Sequence, residues 1–159
     1  MNPHDQMSYV KSAEIIIDHV RNGIRTAKKY RLPESIMEFI ASHHGTSKAK
    51  YFYLKQQQEN PAEALNEKDF AYPGPLPRSR EAAVVMLVDG IEAASRSMKE
   101  KTYDNLKILI DNMIDQKMRE RQLDNSELTF AELDKIKEIL LRKLVNIYHV
   151  RIEYPQETK

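Results

Sequence analysis

Apolar residues recur at three- and four-residue spacing through most of the chain. Ile15, Ile16, Val20, Ile24 and Ala27 mark one face of a helix that Ser8 or Ser12 can cap and that ends near Tyr30. Pro33 suits the first turn of a second helix, PESIMEFIASHH, with Ile36, Phe39 and Ile40 on one face and Gly45 as its stop. KAKYFYLKQQQEN predicts a third, more exposed helix. From 61 to 77 the chain turns polar and proline-rich, and AYPGPLPRS cannot be helix interior, so a surface loop is predicted at about 61–79. Two further helices follow, REAAVVMLVDGIEAASRSM and TYDNLKILIDNMIDQKMRERQ. The last opens at Thr129 with Glu132 three residues on, a capping box, and runs to about His149. No window alternates with period two. The pattern predicts an all-α bundle.

Length narrows this to one domain, 1–159, with a core of its own. With 25 basic and 24 acidic residues the net charge is +1, which argues against duplex DNA as a partner. Cysteine is absent, so disulfides and thiolate metal sites are excluded. A metal site must then use His, Asp or Glu, which favours Mn, Fe, Zn, Mg or Ni. No apolar run approaches the roughly 18 residues needed to span a bilayer.

Three sets of polar residues interrupt the apolar pattern. His19 follows three isoleucines in IIIDHV. His43 and His44 are adjacent at the end of the second helix. Asp89 sits in VVMLVDGIEA, the most apolar stretch of the chain. A buried carboxylate without a partner costs several kcal/mol or takes up a proton, so Asp89 needs either an arginine, such as Arg80 or Arg96, or a metal cation. A single His19 reads as a satisfied core histidine or as a ligand. Neighbours on a helix point about 100° apart, but a loose final turn lets both rings of the histidine pair converge. Three imidazoles and a carboxylate on three apolar helices fit a metal site inside a bundle, and the expectation is one shared cleft. His149 suits a helix C-terminus, where a cationic ring complements the helix dipole.

SAEIIIDHVRNGIRTAKKYRLPESIMEFIASHHGTSKAKYFY, residues 12–53, and DFAYPGPLPRSREAAVVMLVDGIEAASRS, residues 69–97, carry a resemblance. The combination of HHGT, YPGP and an EAASRS helix at this spacing resembles the catalytic domain of the membrane-anchored HD-superfamily phosphohydrolases. That family places a seven-helix transmembrane region before a cytosolic HD domain, and its characterised members hydrolyse cyclic di-AMP. The likeness is strong over residues 2–98 and looser beyond.

The resemblance implies a domain on the cytoplasmic side of a membrane-embedded parent protein, a cyclic dinucleotide as substrate, and two divalent ions, Mn or Fe, in the intact centre. That centre uses a first His, a His-Asp dyad, a later single His, a His-His pair and a final Asp. His19 matches the single His, His43 and His44 the pair, and Asp89 the final Asp; Gly90 departs from the Ala or Ser expected beside it. His19, His43 and His44 would serve one ion and Asp89 the other. Lys48, Arg78 and Arg80 flank the motifs and would neutralise phosphate, and Tyr72, with Tyr51 and Tyr53, would stack on adenine or pack. The first His and the dyad are expected upstream of His19, and His4-Asp5, following Asn2 and Pro3, reads as a separate loop. The expectation is therefore an N-terminally truncated HD bundle that holds at most one ion weakly, is weak or inactive alone, and self-associates through the Ile15–Val20 side. An HD hydrolase of another nucleotide, or an inactive nucleotide- or partner-binding module, are the alternatives.

Overall fold

A computed structural model describes residues 7–61 and 65–150; His4 and Asp5 lie outside the described residues. Within these, six α-helices carry the fold: α1 Tyr9–Lys29, α2 Glu34–Ser42, α3 Lys50–Glu59, α4 Arg80–Ser97, α5 Tyr103–Arg119 and α6 Phe130–Ile147. Ser8 is the cap of α1, its hydroxyl accepting the Lys11 amide at 3.2 Å, while Ser12 is buried inside the helix. Ser79 and Thr102 cap α4 and α5 in the same way. At α6 both halves of the capping box form between Thr129 and Glu132.

Two apolar clusters divide the molecule. Ala13, Ile17 and Val20 of α1 pack with Ala49, with Phe52 of α3, and with Phe70 and Tyr72. Leu87 and Ile91 of α4 pack with Leu106, Ile110 and Ile114 of α5 and Leu133 and Leu144 of α6. Burying each such Leu or Ile contributes roughly 1.5–3 kcal/mol. Exposed ion pairs contribute about 0–1 kcal/mol, so the two clusters decide how the helices associate. The short α2 packs against both α1 and α4 and joins the two halves.

The proline-rich stretch is less superficial than its composition suggests. It holds a short 3-10 helix, Glu67–Phe70, and Phe70, Tyr72 and Pro77 are buried. The chain here is pinned to the segment after the histidine pair. Ala49 donates to the Phe70 carbonyl at 2.7 Å and Tyr72 to the Ser47 carbonyl at 2.9 Å, around a single antiparallel bridge of Lys48 with Ala71. Three aromatic or apolar residues spaced along a polar segment were enough to anchor it.

Candidate metal centre

His19 projects from the middle of α1, and His43 and His44 lie where α2 ends, so the three rings meet at the α1–α2 crossing. One nitrogen from each lies within 4.8 Å of the others. The orientation of two of them is set by their own helices. His19 Nδ1 faces the Ile16 carbonyl, and His43 Nδ1 faces the Ile40 carbonyl at 2.9 Å. A carbonyl accepts, so each Nδ1 carries a proton, and in the neutral ring Nε2 then presents a lone pair. These two nitrogens face one another at 3.1 Å. Two lone pairs at that distance repel unless a proton or a cation lies between them. The donor set thus fits a metal ion, because ligands of one ion sit about 2.0–2.1 Å from it and a small ring rotation closes the set.

His44 is placed differently. Its ring stacks on Tyr72, with centroids 4.1 Å apart and planes 24° from parallel. Burial pushes its pKa down from 6.5 to about 3, with the neighbouring His43 and His19 adding to the shift. The ring is therefore neutral, the state in which imidazole binds a metal. Asp89 Oδ2 lies 4.0 Å from His44 Nδ1, which with a neutral ring is proximity and not an ion pair. Tyr72 is held protonated, its pKa raised to about 12 by burial and by the Asp89 charge.

Asp89 corrects an expectation. Its side chain is 47 % exposed, not buried. The buried stripe of α4 is Ala82, Ala83, Met86, Leu87, Ile91 and Ser95, and the apolar run is wider than that stripe, so Val88 and Asp89 emerge on the other side. Neither arginine considered for it serves: Arg96 pairs with Glu92, and Arg80 with Glu132 at 3.2 Å. Asp89 faces the histidines without either. His19 is likewise exposed rather than a core histidine.

The turn that presents the histidines depends on Gly45 and Gln122. Gly45 adopts φ +54°, and a Cβ there would come within 2.4 Å of Gln122 Oε1 and 2.9 Å of Met86 Cε. The buried Gln122 side chain accepts the Thr46 amide at 2.9 Å and donates to the Thr46 hydroxyl at 3.0 Å. Gln122 follows α5 and shows no local pattern in the sequence, and neither it nor Lys117 was singled out by it. Lys117, on α5 and only 9 % exposed, donates to Ser47 Oγ at 2.6 Å.

A cavity of about 560 Å³ is bordered by Thr46 and Lys48, which follow the histidine pair in the chain, and by Gly90, which follows Asp89. Of the basic residues expected to meet phosphate, Lys48 lines it, with its ammonium 2.7 Å from Glu67. Arg78 and Arg80 do not line it; the Arg78 amide donates to Glu38 instead. Tyr53 lines it as well, whereas Tyr51 is 65 % exposed and packs edge-on to Phe52.

No protein-family model matches the chain. Comparison with curated proteins gives 39 % identity over 158 residues, 99 % of this chain, with the cyclic-di-AMP phosphodiesterase PgpH of Bacillus subtilis. An uncharacterised protein of Synechocystis, slr0104, is 37 % identical over 160 residues. The chain spans 22 % of the length of the first and 20 % of the second. Among solved structures, the HD domain of Listeria monocytogenes PgpH in complex with cyclic di-AMP superposes with a TM-score of 0.88 at 35 % identity, covering 96 % of this chain and 71 % of that one. The same domain in a second crystal structure gives 0.86 at 34 % identity.

Proposed function

The chain belongs to the family of PgpH-type HD domains, and from that premise we propose that it forms the metal-dependent catalytic part of a cyclic di-AMP phosphodiesterase. The observation that carries the reading is the convergence of His19, His43 and His44 within 4.8 Å, with Asp89 4.0 Å from His44. Membership of this family implies dependence on divalent metal. His19, His43 and His44 would hold one ion, Mn or Fe in this reading, and Asp89 would belong to a second. When bound, such ions supply the Lewis acidity that phosphodiester hydrolysis requires.

The chain's own residues prepare that site. Backbone carbonyls aim two Nε2 lone pairs inward, burial keeps His44 neutral, and Tyr72 braces its ring. Lys48, which lines the cavity and pairs with Glu67 at 2.7 Å, would offer its ammonium to a phosphate in exchange for that carboxylate. Among the described residues no helix is long and apolar enough to cross a membrane. Anchoring would therefore come from elsewhere in a membrane-embedded parent with this domain on the cytoplasmic side.

The test is equilibrium binding and turnover of cyclic di-AMP with excess Mn, beside the same measurements after chelation. Metal-dependent, cyclic di-AMP-selective binding with phosphodiester cleavage is expected. Binding that chelation leaves unchanged, or preference for an unrelated nucleotide, would overturn the reading. Metal-dependent binding with no cleavage under any metal would favour a binding module.

A further inference from the structure

Arg25, Lys28 and Lys29 share one face of the last turns of α1, at three- and four-residue spacing, and Arg31 follows in the turn to α2. Residues 25–36 hold these four cations and a single carboxylate, Glu34, a net +3 in a chain whose total is +1. Arg21, one turn earlier, is neutralised by Asp18 at 2.9 Å. Arg25 donates only to the neutral Asn22 side chain, and among the described residues no ion pair joins Lys28, Lys29 or Arg31 to a carboxylate. The dipole of α1 favours cations in its last turn, which accounts for Lys28 and Lys29. Arg31 is different. Its φ is +53°, the left-handed position after a helix end where glycine is the usual residue, so the turn carries a charge against the preference of its backbone.

The same corner exposes apolar surface. Tyr30 is 68 % exposed, Leu32 40 % and Ile36 39 %, in an unbroken run of exposed residues from 28 to 36. The run is held firmly. The amides of Tyr30, Arg31 and Leu32 close onto the carbonyls of Thr26, Lys28 and Ala27 at 2.9–3.1 Å. Behind it α1 and α2 pack so closely that a Cβ at Gly23 would come within 2.7 Å of Ile40 Cγ2. Ile36 lies one turn before Ile40 on the same face of α2, so that apolar face continues past its contact with α1 into solvent.

Uncompensated cations beside an amphipathic ring and two aliphatic side chains match the chemistry of an anionic bilayer surface. Lysine and arginine meet lipid phosphates, a tyrosine ring sits at headgroup depth, and aliphatic side chains reach the acyl boundary. A single-stranded nucleic acid calls instead for successive stacking aromatics along a basic groove, and this corner offers one ring. The corner and the metal centre lie at opposite ends of α2, a helix of nine residues and about 13 Å, so changes at the corner spare the histidines.

We infer that the α1–α2 corner is a docking surface for an anionic lipid bilayer, with Lys28, Lys29 and Arg31 on the headgroup phosphates and Tyr30, Leu32 and Ile36 set into the interface. Arg25 adds its charge from one turn further back on α1. The inference is independent of the proposed substrate, because none of these residues belongs to the metal centre.

The test is co-sedimentation of the chain with vesicles of equal parts phosphatidylglycerol and phosphatidylcholine, beside vesicles of phosphatidylcholine alone. Binding to the anionic vesicles only is expected, weakening as added salt shortens the screening length. Each cation near such a surface strengthens binding roughly fivefold, so combining Lys28→Gln, Lys29→Gln and Arg31→Gln should weaken it roughly a hundredfold. The chain has no tryptophan, so Tyr30→Trp places a single emitter at the corner and Tyr103→Trp places one at the start of α5. Anionic vesicles should shift the first emission to the blue and leave the second unmoved. Thermal melts confirm that each variant folds, and the wild-type sedimentation needs no variant. No sedimentation at millimolar lipid, binding that the triple variant keeps, or equal shifts at both emitters would overturn the inference. Binding of single-stranded RNA through the same three cations, without vesicle binding, would assign the corner to nucleic acid and overturn it as well.

Discussion

His19 and His43, 24 residues apart and on different helices, face each other through their Nε2 atoms at 3.1 Å, each held there by an Nδ1 contact to a carbonyl three residues earlier in its own helix. The helix thus does for each ring what an outer-shell carboxylate does in many metal sites: it selects the tautomer and fixes the ring.

Replacing His43 by Ala should therefore remove tight binding of Zn or Mn. Loss of an outer-shell partner lowers metal affinity roughly 10–100-fold, and loss of a ligand from a set of three should exceed that. Competition against a chromophoric chelator measures it. His43→Ala with unchanged affinity would show that the ion is held elsewhere.

The donor count limits stoichiometry. Among the described residues three imidazoles can hold one ion with water completing its shell, whereas Asp89 alone is too little protein for a second. Titration of the chain with Mn or Zn should show at most one tight site, and slow cyclic di-AMP turnover. Two tight ions per chain would contradict this count.

The Gly45 turn should resist change. Gly45→Ala meets both a positive φ, costing about 1–2 kcal/mol, and the Gln122 side chain. Gln122→Ala should cost roughly 1–3 kcal/mol through the Thr46 groups it leaves without a partner. In the double variant the Gln122 clash disappears while the φ cost and the tight approach to Met86 Cε stay, so the two losses should sum to more than the pair together shows. Urea unfolding of the four proteins reads this directly.

Asp111 predicts a pH dependence far from the site. Lys107 at 3.0 Å, and then Lys137 of α6 at 3.1 Å, hold its carboxyl below the ordinary value of 3.8. The unfolded chain takes up a proton near 3.8 that the folded chain still refuses. The contribution is thus present above that pH and lost as pH falls through the depressed folded value. Because the group is a third exposed, Asp111→Asn should cost only about 0.5–1 kcal/mol at pH 7, with the gap to wild type closing below pH 3.8 in thermal melts. A gap that widened in acid would refute the pairing.

Local pattern determined the helices. Periodicity, the Ser8 and Thr129 caps and the Gly45 stop are short-range signals, and each helix follows them because its free amides and apolar stripe are satisfied by residues within a turn or two. The sequence also narrowed which side chains are competent for metal, since without cysteine only its histidines and carboxylates remain, and of these His19, the His43–His44 pair and Asp89 interrupt apolar helical pattern. Tertiary structure decided the rest. Whether Asp89 is buried turned on which part of a broad apolar run packs against α5, and a run of hydrophobic residues does not mark its own inner face. Gln122 and Lys117 reach Thr46 and Ser47 across 76 and 70 residues of chain. No period or motif links positions so far apart; only the packing of α4 against α5 and α2 brings them to one cleft, where a hydrogen bond and a buried charge acquire their meaning.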